Sequence, residues 1–207
     1  APVQSDFGLC ADFGRETPFI SGLVCDQCGV PLPGQDTEER ALCDDCMTIA
    51  RPWDRGRAAL MYRDNGRRLV LALKHGDRMA LARPASAWML KAAQPILKPD
   101  MLVVPVPLHW MRLFRRRFNQ AALLSRAIAK AAHLEHCPDA LARTRTTGSQ
   151  DGKTRDARFA NLVGAFRVPK SREQRIEGRN ILLVDDVMTS GATFAAATEA
   201  LFSAGAQ

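Results

Sequence analysis

A chain of 207 residues has room for one medium-sized domain and a small appendage, and 46% apolar residues supply a core of ordinary size, which excludes a chain too polar to fold. The apolar runs are strand-sized and no basic-then-apolar leader opens the sequence, so membrane insertion and export are both set aside in favour of a cytoplasmic protein. Lys and Arg number 29 against 22 acids, and the net charge of +7 suits phosphates or nucleic acid as readily as it describes a solvated basic surface.

In chain order, the first feature is a set of cysteines. Cys10 stands in "LCADF", which looks like half of a Cys pair lacking its second member, and it is left unassigned. Cys25 and Cys28 in "CDQCG" and Cys43 and Cys46 in "CDDC" form two pairs 14 residues apart. Two thiolates on one tight turn face one ion, and a second such turn completes a tetrahedral set. Without an export signal, structural zinc is favoured over two disulfides. Four Cys ligands leave no open position, so the metal folds the module and does no chemistry. The expected domains are a Cys-rich, zinc-ribbon-like module at 1–52 and a second domain at 53–207.

Beyond Pro52, "RAALMYR" reads as a strand and "NGRRLVLALKHG" as a short helix closed by Gly76. Leu81, Ala85, Trp88, Ala92 and Ile96 recur at helical spacing, which makes Trp88 a core residue. "MLVVPVP" is a continuous apolar run ended by prolines, the pattern of a strand buried on both faces. "FNQAALLSRAIAKAAHL" is an amphipathic helix, and Cys137 is a buried small hydrophobe. "ALART" is a short strand, and the segment from Arg143 to Arg158 lacks apolar periodicity and reads as a mobile loop. "GAFRV" and "NILLV" are strands, and "ATFAAATEALFSAG" is a helix. Strands alternating with helices give an α/β domain with a mainly parallel sheet flanked by helices. There is no internal repeat and no low-complexity tract. The chain starts without Met and stops at "FSAGAQ", and one or both ends are expected to be incomplete.

The chemistry concentrates in "ILLVDDVMTSGAT", residues 181–193. In a doubly wound sheet ligands bind beyond the carboxyl ends of the strands, where Asp185 and Asp186 fall. Thr189, Ser190, Gly191, Ala192 and Thr193 then form a small-residue turn opening a helix, which aims amides, hydroxyls and the helix dipole at one point. Carboxylates that accept from vicinal hydroxyls beside such a turn suit a ribose 5-phosphate. A receiver domain, which can open on "LLVDD", is not expected, with 21 residues following Asp186. No paired Cys/His or Ser/His motif stands out, and "HLEHC" lacks the spacing of a helical metal pair. His75, His109, His133 and His136 are scattered, with His109 the best placed.

The 181–193 segment resembles the phosphoribosyl pyrophosphate (PRPP) signature of type I phosphoribosyltransferases. The wider pattern resembles the ComF family: the CxxC pairs, "LKHG", "VVPVPLHWMRLFRRRFNQA", "RTRTTGSQ" with Arg158 and Asn161 downstream, "GAF", and the signature. The likeness runs from about Cys25 to the end. One departure is Arg117, which stands where the family usually has glycine before Phe118. The resemblance implies a type I phosphoribosyltransferase fold, Rossmann-like, whose last strand and helix are missing here. It implies that Asp185 and Asp186 bind the ribose hydroxyls and catalyse, and that Thr189 through Thr193 bind the 5-phosphate. Val106, Pro107 and Leu108 would lie at the pyrophosphate loop, with Lys74, Arg115 and Arg116 as counter-charges, and Arg158 on a loop that closes over the reaction. Magnesium would accompany PRPP, and the reaction would be displacement of pyrophosphate by a nitrogen nucleophile. The family's association with natural competence implies DNA uptake, with single-stranded DNA and a competence helicase-type partner. "RLFRRRF" alternates Arg and Phe as a DNA-contacting surface would, though the same arginines would serve pyrophosphate. Turnover is left open, against a non-catalytic DNA- or partner-binding factor or a PRPP or nucleotide sensor.

Overall fold

The computed structural model describes residues 11–35, 39–74, 79–108, 118–144 and 154–207. Cys10, His75, Gly76, His109, Arg115, Arg116, Arg117 and residues 145–153 therefore lie outside the described residues. The chain divides into two compact units, one ending at Ile96 and one running from Leu97 to Gln207. The boundary expected after Pro52 falls inside the first unit.

The first unit carries α1 (Ala11–Arg15), α2 (Asp44–Thr48), α3 (Asp64–Lys74) and α4 (Ala82–Ala93). Short 3-10 turns, Met79–Leu81 and Gln94–Ile96, flank α4. Its core is built on Leu69 of α3 and Trp88 of α4, with Phe13, Phe19, Leu60 and Leu81 packed round them. Phe19 meets Trp88 edge to face, ring centroids 5.2 Å apart, the geometry the ring quadrupoles favour. Trp88 is thus a core residue, as its spacing requires. "RAALMYR" is not a strand: it makes a single bridge, Leu60 with Phe19. The amides of Met61 and Ile20 bond across to Pro18 and Ala59, but Pro18 has no N–H with which to extend the ladder.

The second unit is built on a sheet ordered β2–β1–β5, all parallel, with β1 at Leu102–Pro105, β2 at Glu135–His136 and β5 at Ile181–Val184. β1, the central strand, is buried along its whole length, which is why "LVVP" is continuously apolar. Leu102, Val104 and Val106 alternate onto one face and pack there with Leu162, Phe166, Ile176 and the alanine-rich side of α8 (Ala192–Phe202). α5 (Gln120–Ala132) packs on the sheet with Ala121, Leu124, Ile128 and Ala129 buried. Asn119 starts that helix. Its side chain accepts from the Ala121 amide at 3.1 Å and donates to the Val106 carbonyl at 3.1 Å, tying the helix start to the strand end. A separate antiparallel pair joins β3 (Ala142–Arg143) to β4 (Phe166–Arg167), with the Arg143 guanidinium over the Phe166 ring. This is a mixed α/β unit with a parallel sheet flanked by helices.

The loop expected up to Arg158 ends earlier, because α6 runs from Arg155 to Leu162. Thr154 caps it by accepting from the Ala157 amide, and Leu162 is buried at its end. The short edge strand β2 and the helix α7 (Glu173–Ile176) have no counterpart in the sequence reading. Glu135 of β2 bonds Arg175 and Arg179, and these hydrogen bonds hold its carboxyl below the ordinary value. Cys137 is fully buried, with its thiol 3.6 Å from Asp139, and burial raises its pKa.

Leu102→Ala removes a fully buried side chain from the central strand, and a guanidinium melt is expected to lose about 2–5 kcal/mol. Because Glu135 is depressed in the folded state, its contribution is complete above its ordinary value of 4.5 and is lost as pH falls through that value and below. Melts of the unmutated chain and Glu135→Gln should therefore separate at neutral pH and converge in acid.

Candidate functional site

β1 and β5 run side by side in parallel, from Leu102 opposite Ile181 to Pro105 opposite Val184. The Val106 amide continues the ladder by donating to the Val184 carbonyl at 2.8 Å. Both strands thus finish on the same rim, where Val106, followed by Pro107 and Leu108, leaves β1 as Asp185 and Asp186 leave β5. Val106 is buried, while Pro107 and Leu108 are half-buried.

The two acids are half-buried. Asp185 turns one carboxylate oxygen back to accept from the Asp186 amide at 2.8 Å, which fixes the chain direction as it leaves the strand. The next turn ends at Gly191, whose φ of +82° is a left-handed conformation that a side chain would strain. The Ser190 hydroxyl accepts from the Ala192 amide at 3.4 Å, and α8 begins there. No acid occupies the first turn of α8, so the positive end of the helix dipole is not compensated from within. Thr189 is exposed, Ser190 and Thr193 are half-buried, and Gly191 and Ala192 are buried.

Val187 to Phe194 line a small open pocket. Its far wall comes from α6, where Arg158 donates to the Thr189 hydroxyl at 3.4 Å and Leu162 lies behind. Arg158 therefore meets the 189–193 turn. Lys74 ends α3, and its side chain is outside the described residues. Arg115 and Arg116 are outside them altogether. Two residues given no role from the sequence are Asn119, tied to the rim by its bond to Val106, and Asn161, three residues beyond Arg158 on α6. "FNQ" before an amphipathic run is a helix-cap signal that could have found the first. His136 lies away from the rim, bonded to Ser125 at 2.9 Å, and burial lowers its pKa.

In the first unit the sulfurs of Cys25, Cys28, Cys43 and Cys46 all lie within 4.8 Å of one another. Cys28 and Cys43 stand 3.7 Å apart. Thiolates on a tetrahedral zinc at about 2.3 Å lie about 3.8 Å from one another, whereas a disulfide needs ~2.05 Å. The four are free thiols and three are buried, so the donor set fits a structural zinc and the group could hold one. Burial raises the Cys28 and Cys46 thiols. It acts on Cys25 as well, but hydrogen bonds from the chain at Cys43, Cys28 and Gln27 outweigh it and bring that thiol to about 7.

The first Cys turn is braced by the segment from Arg55 to Ala58. Gly29 has φ +76°, and a Cβ there would come within 2.7 Å of the Ala58 nitrogen. Asp26, between the two cysteines, pairs with Arg57 at 2.6 Å and Arg55 at 2.9 Å. Burial opposes its charge, yet these bonds prevail and keep its pKa below the ordinary value.

Curated relatives match nearly the whole chain. It is 32% identical over 206 residues to the DNA utilization protein YhgH of Escherichia coli (strain K12), covering 97% of this chain and 86% of that protein. It is 27% identical over 191 residues to competence protein F of Haemophilus influenzae, covering 90% and 80%. It is 24% identical over 210 residues to competence protein ComFC of Bacillus subtilis, covering 98% and 81%. No family model and no solved structure matches the chain.

Purified protein is expected to carry about one zinc per chain by elemental analysis, and Cys28→Ser to lose it together with the thermal stability of the first unit. Full metal content in Cys28→Ser would exclude the four-sulfur site.

Proposed function

The chain belongs to the ComF family, and on that premise we propose that it binds PRPP, or another ribose 5-phosphate compound, at the 185–193 rim and transfers the phosphoribosyl group to a nitrogen acceptor. The relatives' names point to competence and DNA utilization, so the transfer or binding step would serve DNA handling. The observation that carries the reading is the order strand, paired acids, left-handed Gly191, and a helix start with no acid in its first turn, all on one rim of a parallel sheet. Such a rim accepts sugar hydroxyls at the acids and a phosphate at the turn. The pocket and sheet, which lie within residues 97–207, support a type I phosphoribosyltransferase fold for that unit, and the four cysteines a zinc module in the first.

The residues divide the work. Asp185 and Asp186 would accept from the ribose hydroxyls and stabilise positive charge growing at the anomeric carbon as the bond to pyrophosphate breaks. Thr189 through Thr193 would hold the 5-phosphate and so fix the ring. Val106, Pro107 and Leu108, at the end of β1, would flank the departing pyrophosphate, with Lys74, Arg115 and Arg116 as its counter-charges. Magnesium, which prefers oxygen ligands, would bind with the diphosphate and offset its charge, and the half-buried carboxylates at the strand end are suitable oxygen donors. Catalysis of this kind depends on positioning, which agrees with the absence of a nucleophile motif in the sequence.

A second reading rests on the relatives called competence and DNA utilization proteins: binding without turnover, by a factor that contacts single-stranded DNA or a competence helicase-type partner. Calorimetry of PRPP with magnesium, followed by pyrophosphate release over a panel of bases and amines, separates the two. Asp185→Asn/Asp186→Asn is expected to weaken PRPP binding at least about tenfold and to abolish release. Binding without release for any acceptor would favour the second reading, and no binding would overturn the pocket.

A further inference from the structure

We propose that Arg158, with Asn161 one helical turn further on, forms the charge-reading wall of the phosphate subsite, so that α6 recognises the 5-phosphate itself. This rests on the pocket reading above and changes one role within it. By family resemblance Arg158 belongs to a loop closing over the reaction, whereas here it is a helical residue facing the turn that precedes α8.

Three observations carry the inference. First, Arg158 lines the same pocket as Thr189, Ser190 and Thr193, and no acid lines that pocket among the described residues. Its positive charge and the start of α8, which has no acid in its first turn, thus meet across a pocket lined by hydroxyls and amides and by no acid among the described residues. Second, the guanidinium is underused. Its one contact to the turn, Nη1 to the Thr189 hydroxyl at 3.4 Å, is at the long limit of a hydrogen bond, while its Nε is buried without a partner among the described residues. Third, the Nδ2 of Asn161 is likewise buried and unpartnered among the described residues. Residues three apart share a helix face, so Asn161 belongs to the side of α6 that carries Arg158, next to pocket-lining Leu162.

Buried donors without acceptors are rare because leaving a hydrogen bond unmade is costly. Two of them on one helix face, beside a cationic pocket lacking an anion, are matched by a ligand rich in acceptor oxygens. A phosphate monoester brings three such oxygens and a charge near −2 at neutral pH, and the planar fork of Arg suits two of them at once. Asn161 would supply a neutral donor to the same group or hold the guanidinium's ligand in register. The subsite therefore selects a phosphorylated pentose over the free sugar, and it does so through α6 as well as through the turn.

Calorimetric titration with ribose 5-phosphate and, separately, with inorganic phosphate tests this. Arg158→Gln is expected to weaken both at least about tenfold, Arg158→Lys to weaken them less, and Asn161→Ala to weaken both severalfold. Asp185→Asn/Asp186→Asn should weaken ribose 5-phosphate while leaving inorganic phosphate unchanged, because those acids face hydroxyls. Circular dichroism and zinc content verify that each variant is folded. Should Arg158→Gln fail to fold, Asn161→Ala and Arg158→Lys carry the test. Unchanged binding of both probes in the folded wall variants, with the aspartate variant still impaired, overturns the inference and leaves the pocket standing. If the unmutated chain binds neither probe, the pocket and the inference fall together.

Discussion

The parallel pairing of β1 with β5 is the constraint on which the second unit depends. Its last rung, the Val106 amide on the Val184 carbonyl, makes two distant segments of the chain end at one level. At that level Asn119 ties the start of α5 to the end of β1, and β5 leads on to α8 through the two acids and Gly191. Had the register slipped by one residue, the face of β1 would have reversed, and Leu102, Val104 and Val106 would have left the core they share with α8. Core packing and rim geometry are therefore two consequences of the same ladder.

The start of α8, with no acid in its first turn, is offset by the burial of the rest of that helix. Ala192, Ala195, Ala196, Ala197 and Leu201 are all inside, so the helix is held by its packing and does not need an acidic first turn. A helix start without an acid in its first turn is a cost in stability that the core offsets, and it leaves the rim able to receive an anion. The first unit solves a different problem. Its segment around the cysteines has little regular structure, and Asp26 with its arginines, Gly29 against Ala58, and the four sulfurs themselves hold it in place. A metal at the sulfurs would complete that bracing, in the way small modules with thin cores are commonly stabilised.

How far the sequence revealed this depends on whether a feature is local. "MLVVPVP", "NILLV" and the helix after Gly191 could be read because burial on both faces, strand length and small-residue turns leave their mark within a few residues. The cysteine pairs were legible for the same reason. Trp88 was legible because its neighbours recur at helical spacing. Features that depend on a partner elsewhere were not. β2 is only Glu135–His136, a polar pair made into a strand by Val103 beside it. "RAALMYR" has the composition of a strand but faces Pro18, which cannot extend a ladder. The start of α6 at Arg155 depends on the Thr154 cap and on Leu162 finding the core, neither of which shows as periodicity. At the site, the acids and the turn stand out as a motif, whereas Asn119 and Asn161 acquire meaning only from the groups they meet or fail to meet.

The central claim is that the rim formed by β1, β5 and the start of α8 is a pentose phosphate site, and a crystal structure of the zinc-bearing protein soaked with PRPP and magnesium tests it most directly. The account predicts density for the 5-phosphate against residues 189–193 with Arg158 at its side, and ribose hydroxyls within hydrogen-bond distance of Asp185 and Asp186. A ligand seated elsewhere, or an empty rim at saturating PRPP, would contradict it.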